Sequence, residues 1–220
     1  MPIFTKGNKS VLFIHIPKSA GSSVEKIAAY AGWTESFSIR GRSLREIPYC
    51  RASFQHLHAA PLGELFRFDK FDAVFTIVRN PFDRVKSEYY WQRVQGLTHL
   101  SVAEWVGDRF SRYQDNPFLC DNHIRPQIEF VPNGVHVDIF KLEDKGVEGA
   151  CQIFGSRRAG GLGNLKNLKH ALTRRRPRET FEKKSCKNSA TEADFEKCYK
   201  DIVKFYRSDF DAFSYQVREI

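Results

Sequence analysis

"SVLFIHIPKSAGSSVEKIAAY", Ser10 to Tyr30, is the stretch that decides the fold. Val11 to Ile16 is a nearly continuous apolar run of strand length, the pattern of a buried parallel strand. Pro17 and Lys18 end it, and a Ser/Ala/Gly stretch follows. Val24, Ile27, Ala28 and Ala31 then recur at helical spacing and mark one buried face, with Gly32 as a stop signal. A strand that enters a helix through lysine, glycine and three serines makes a cradle for an anion. Backbone N–H groups from Ser19 through Ala20 and Gly21 to Ser23 open the helix N-terminus, whose partial positive charge favours an anion. Gly21 is expected to admit close backbone approach, Ser22 and Ser23 to add hydroxyl donors, and Lys18 to add a mobile point charge.

Working outward, Asp72 to Val78 reads as a second buried strand, ending at Arg79. Asn80 suits an N-cap, Pro81 the first helical position and Asp83 the first turn of a following helix. Val135 to Leu142 is a third strand candidate. Residues 34–53 read as loop with room for one short element. From Glu192 to Ser208 a helix is expected, with Phe195, Cys198, Ile202 and Phe205 on one face. Strands alternating with helices imply an α/β domain with a mainly parallel sheet, and 220 residues suit a single domain over 1–220. In such sheets ligands bind beyond the carboxyl ends of strands. The second strand delivers Arg79 there, and Ser87 follows two helical turns on, with Arg84 and Lys86 adding charge. A guanidinium fork with a hydroxyl clamps a phosphate. Two phosphate sites on two strand ends fit one nucleotide phosphorylated at its 5′ and 3′ positions.

The lysine precedes the glycine by three positions, so this is not the Walker pattern, and the second strand ends on arginine rather than on a magnesium-binding acid. A net charge of +9 favours anionic partners without choosing among them. The densest basic run, Arg174 to Arg178, reads equally as a solvated loop. Five scattered cysteines, none in C-x-x-C spacing, suggest free thiols and no zinc. No apolar run approaches the roughly 18 residues needed to cross a bilayer. A cytoplasmic protein is expected, or a lumenal one if the chain is cut from an anchored form.

"FIHIPKSAGSS" (Phe13 to Ser23) resembles the 5′-phosphosulfate loop of carbohydrate sulfotransferases that use 3′-phosphoadenosine 5′-phosphosulfate (PAPS). "TIVRNPFDRVKSEYYW" (Thr76 to Trp91) resembles that family's 3′-phosphate motif, with Arg79 and Ser87 in the phosphate-binding places. "HIRPQIEFV" (His123 to Val131), "VDIFKLEDKG" (Val137 to Gly146) and "YRSDFDAFSY" (Tyr206 to Tyr215) extend the likeness. Residues 155–190 match poorly, and a nucleotide-covering loop falls only loosely around Lys166 to Arg178.

The resemblance implies a three-layer, P-loop-like α/β fold and transfer of a sulfonate from PAPS to a hydroxyl, on a carbohydrate, leaving 3′,5′-ADP without need of a metal. It places Lys18 at the departing phosphate oxygen. It also makes His56 of "FQHLHAAPL" the base, because "QHL" resembles the family's G-H-[LV] segment with Gln55 in place of glycine. His58, sharing that face if the segment is extended, is the alternative base. His15 reads as a core histidine. His123 reads equally as an acceptor-site residue and as an ordinary loop residue. Trp33, Trp91, Trp105, Tyr89 and Tyr90 suit the core better than a sugar platform. A nucleotide kinase and a non-catalytic binder of anionic polymers are the competing readings, and no nucleic-acid partner is expected.

Overall fold

The computed structural model describes residues 1–39, 46–155 and 190–218. The basic run Arg174 to Arg178, the covering loop placed around Lys166 to Arg178, and Cys186 lie outside the described residues.

Among the described residues five strands form one sheet: β1 (Ile3–Lys6), β2 (Lys9–Ile14), β3 (Thr34–Ser36), β4 (Ala73–Val78) and β5 (Asp138–Lys141), in the order β3-β1-β2-β4-β5. β2, β4 and β5 are parallel neighbours, while β1 runs against both β2 and β3. The mainly parallel α/β fold expected from the sequence is therefore present, with a reversed strand inserted near one edge. β1 and β2 meet through Gly7-Asn8, with Gly7 at φ +59° as a two-residue hairpin requires.

Side chains alternate across β2 and β4. Val11, Phe13, Phe75 and Ile77 pack on one face with α1 (Gly21–Tyr30) and α5 (Gly146–Ile153), whereas Leu12, Ile14, Val74 and Val78 pack on the other with Leu62 of α2 (Ala59–Leu65), Phe130 and Phe213. Burial on both faces explains the unbroken apolar runs. A third cluster joins α3 (Pro81–Val94) and α4 (Val102–Asp115) to α6 (Glu192–Lys197) and α7 (Tyr199–Phe205), with α8 (Arg207–Ala212) closing the chain. Trp33, Trp105 and Tyr89 are buried in these cores, as the sequence suggested.

Three expectations need correction. The first strand ends at Ile14, so Ile16 is buried in the turn instead of the ladder. The third strand is half the length expected. The helix expected over 192–208 is three short helices, broken at Cys198 and Tyr206. No helix among the described residues is long and apolar enough to cross a membrane.

Candidate active site

β2 and β4 are parallel neighbours, so their carboxyl ends deliver the two sequence motifs side by side. Lys18, Ala20, Gly21, Ser22, Ser23, His56, Arg79 and Ser87 all line one cavity of about 1190 Å³. Ser19 does not. It is buried beneath the loop, its N–H donates to the Ile16 carbonyl (3.3 Å), and its Oγ faces Gln127 Oε1 at 3.5 Å.

Lys18 (φ +67°) and Ala20 (φ +65°) are both left-handed, an alternation that turns successive N–H groups toward one concavity. The N–H groups of Ala20, Gly21 and Ser22 have no acceptor among the described residues, while that of Ser23 already bonds Ala20 O at 2.9 Å. Gly21 is needed for a reason the sequence did not show. A Cβ there would stand 1.7 Å from His15 Nε2, so the glycine accommodates a buried imidazole. Burial holds the Lys18 ammonium below its usual range, with Glu88 drawing it up and Arg79 pushing it down.

Gln127 ties the second strand end to this loop. Its Oε1 accepts the Arg79 N–H (2.9 Å) and its Nε2 donates to the Arg79 carbonyl (2.8 Å), while Asp209 accepts the N–H groups of Gln127 and Ile128. Arg79 Nη1 donates to the Lys18 carbonyl at 3.3 Å. The local charge expected from Arg84 and Lys86 is used elsewhere. Arg84 is buried and donates to the carbonyls of Pro17 (3.1 Å) and His123 (2.9 Å); Lys86 pairs with Glu192 and Asp83.

The two histidines of "QHLH" separate. Phe54–His56 is a turn of 3₁₀ helix, not an extended segment, so only His56 lines the cavity; His58 packs against Phe118. His56 Nδ1 lies 2.8 Å from Asp121 Oδ2, and Ser53 holds that carboxylate through its N–H (2.6 Å) and hydroxyl (2.7 Å). Burial lowers His56 to about 4, against the pull of Asp121. Burial also raises the Asp121 carboxyl, but His56 and the Ser53 N–H outweigh it and leave the group below its usual range. The imidazole is thus neutral at pH 7, with Nδ1–H on the carboxylate and Nε2 available as a base.

Asp121 sits in the middle of three successive left-handed residues, Cys120, Asp121 and Asn122. Such backbone costs on the order of 1–2 kcal/mol per residue, least for Asp and Asn. Asn122 fixes it by donating to the His56 carbonyl (2.8 Å) and accepting from Arg125 Nε (3.1 Å).

His123 also faces the cavity, its Nδ1 2.7 Å from Glu88 Oε2. His15 is buried in the wall 4.9 Å from the His56 ring; among the described residues its Nδ1 makes no hydrogen bond, Glu25 Oε1 standing 3.7 Å away, and burial holds it well below the usual range. Of the aromatics, Trp91 is the one that lines the cavity, with Lys18 Nζ 4.9 Å from its ring centre. Among the described residues, His56, Asp121 and His123 form the group able to hold a metal ion, their ligand atoms within 4.8 Å of one another.

Asp121, Glu88 and Gln127 escaped the sequence reading. Asp121 lies 65 positions from His56, and its one local signal was the Asp-Asn pair that favours a left-handed turn.

A strand-to-helix anion loop, a second strand end bearing arginine and a carboxylate-held imidazole therefore open on one cavity. No curated protein and no solved structure matches the chain. The sequence model of the sulfotransferase family matches residues 1–216, and the chain belongs to that family of sulfonyl-transferring enzymes.

Proposed function

We propose that the protein moves the sulfonyl group of PAPS to a hydroxyl of a carbohydrate, releasing 3′,5′-ADP. The observation that carries this reading is the convergence on one cavity of the two strand-end motifs and His56. The residues present fit the donor. Three N–H groups without acceptors among the described residues, Ser22, Ser23 and Lys18 suit its 5′-phosphosulfate, and Arg79 with Ser87 suits its 3′-phosphate.

Each residue then has one task. His56 Nε2 takes the acceptor proton as the acceptor oxygen bonds to sulfur. Asp121 holds the imidazole in the tautomer that leaves Nε2 free. Lys18 and the loop N–H groups stabilise the electron pair that stays on the departing phosphate oxygen. Gln127 and Arg84 keep the two strand ends in register.

Thermal shift tests the donor class. 3′,5′-ADP should raise the unfolding midpoint by more than ATP with magnesium does. The reverse order would support a phosphotransferase instead.

A further inference from the structure

His56 and His123 are built alike and stand together. Each imidazole has a carboxylate on Nδ1, Asp121 at 2.8 Å and Glu88 at 2.7 Å, and the rings meet edge to face with centroids 4.9 Å apart. With Nδ1–H directed to a carboxylate, an imidazole in its neutral form presents the lone pair of Nε2. Neither Nε2 has a hydrogen-bond partner among the described residues, and neither is shut off from the cavity.

The second pair is as firmly held as the first. Glu88 is buried and takes Gln92 Nε2 at 2.7 Å; Gln92 Oε1 in turn takes Trp105 Nε1 at 2.9 Å. Burial raises the Glu88 carboxyl, but His123, Gln92 and Lys18 outweigh it, so it stays ionised. Arg84 holds the His123 carbonyl, and the Trp91 ring lies 5.2 Å from the imidazole. Burying a carboxylate to aim an imidazole is costly. Transfer to one hydroxyl releases one proton, which His56 takes. That leaves His123 with no part in the proton's path.

We propose that His56 and His123 together read two neighbouring hydroxyls of one acceptor: His56 deprotonates the hydroxyl that receives the sulfonyl group, and His123 Nε2 accepts a hydrogen bond from the adjacent one. The acceptor class is then a vicinal diol, as on a sugar ring, and His123 selects it. The inference rests on the transfer reading above.

The test offers PAPS with trans-1,2-cyclohexanediol, with cyclohexanol, or with water alone, and reads release of 3′,5′-ADP. The wild type should prefer the diol over cyclohexanol by about tenfold in kcat/KM, the size of one neutral hydrogen bond. His123→Ala should bring the diol down to the cyclohexanol level, so that the diol loses about tenfold more in kcat/KM than cyclohexanol does. His123→Gln, which keeps an acceptor oxygen, should restore part of the preference; it also serves if the alanine variant does not fold. Equal wild-type use of diol and cyclohexanol, or an equal fractional loss with both in His123→Ala, overturns the proposal. Absence of release with every acceptor, water included, while 3′,5′-ADP still binds, overturns the transfer reading on which it rests.

Discussion

Asp121 Oδ2 lies 2.8 Å from Nδ1 of His56, across 65 positions of sequence. The contact rests on a 3₁₀ turn on one side and a left-handed turn on the other. It is why the proposed reading takes His56 over His58 as the base: His56 has an orienting carboxylate and a cavity, whereas His58 has Phe118 beside it and an Nδ1 with no hydrogen bond among the described residues.

Arg79→Ala should weaken 3′,5′-ADP by roughly 10- to 150-fold, the 1.5–3 kcal/mol of a hydrogen bond to a charged group. Adenosine should lose much less. Calorimetry showing equal losses for both ligands would remove Arg79 from the phosphate clamp.

Gly21→Ala should destabilise the fold by about 1–3 kcal/mol, because the new Cβ meets a buried imidazole with little room to yield. In a cycle with His15→Ala, the double variant should be clearly less destabilised than the sum of the singles. Additive losses in urea unfolding would show that His15 is not what requires the glycine.

Little of that was readable beforehand. β2 and β4 were legible because burial on both faces leaves continuous apolar runs. β1 and β3 were not, since four residues ending in Thr5-Lys6 and the polar Thr34-Glu35-Ser36 carry no such pattern. The anion loop was legible as composition and its backbone was not. Lys18 and Ala20 are left-handed without being glycine, and Gly21, the residue read as admitting close backbone approach, also makes room for His15 from the turn after β2. In sequence Arg84 reads as adding charge beside Arg79 and Ser87; only the fold brings the carbonyls of Pro17 and His123 to it.

Stability should fall in mild acid. His15 is held well below 6.5, and His56 and His58 lie at about 4, burial being the first cause in each. Between about pH 4 and 6.5 the unfolded chain binds more protons than the folded one, so stability present above 6.5 is lost as pH falls. The unfolding midpoint should drop between pH 7 and 5. A flat midpoint across that interval would mean that these histidines do not stay neutral in the fold.

Turnover should survive excess EDTA, because the proposed reading gives the charge stabilisation to Lys18 and to the N–H groups of Ala20, Gly21 and Ser22, which have no acceptor among the described residues. Magnesium-reversible loss of activity would contradict that division of roles.

The most direct measurement is the rate of labelled sulfonyl transfer in His56→Ala beside its affinity for 3′,5′-ADP, with His58→Ala as control. The rate should fall by roughly 10²–10⁴-fold, the usual contribution of a general base, with nucleotide affinity unchanged and His58→Ala near wild type. A large loss in His58→Ala with His56→Ala active, or an equal loss of nucleotide affinity in His56→Ala, would contradict the account.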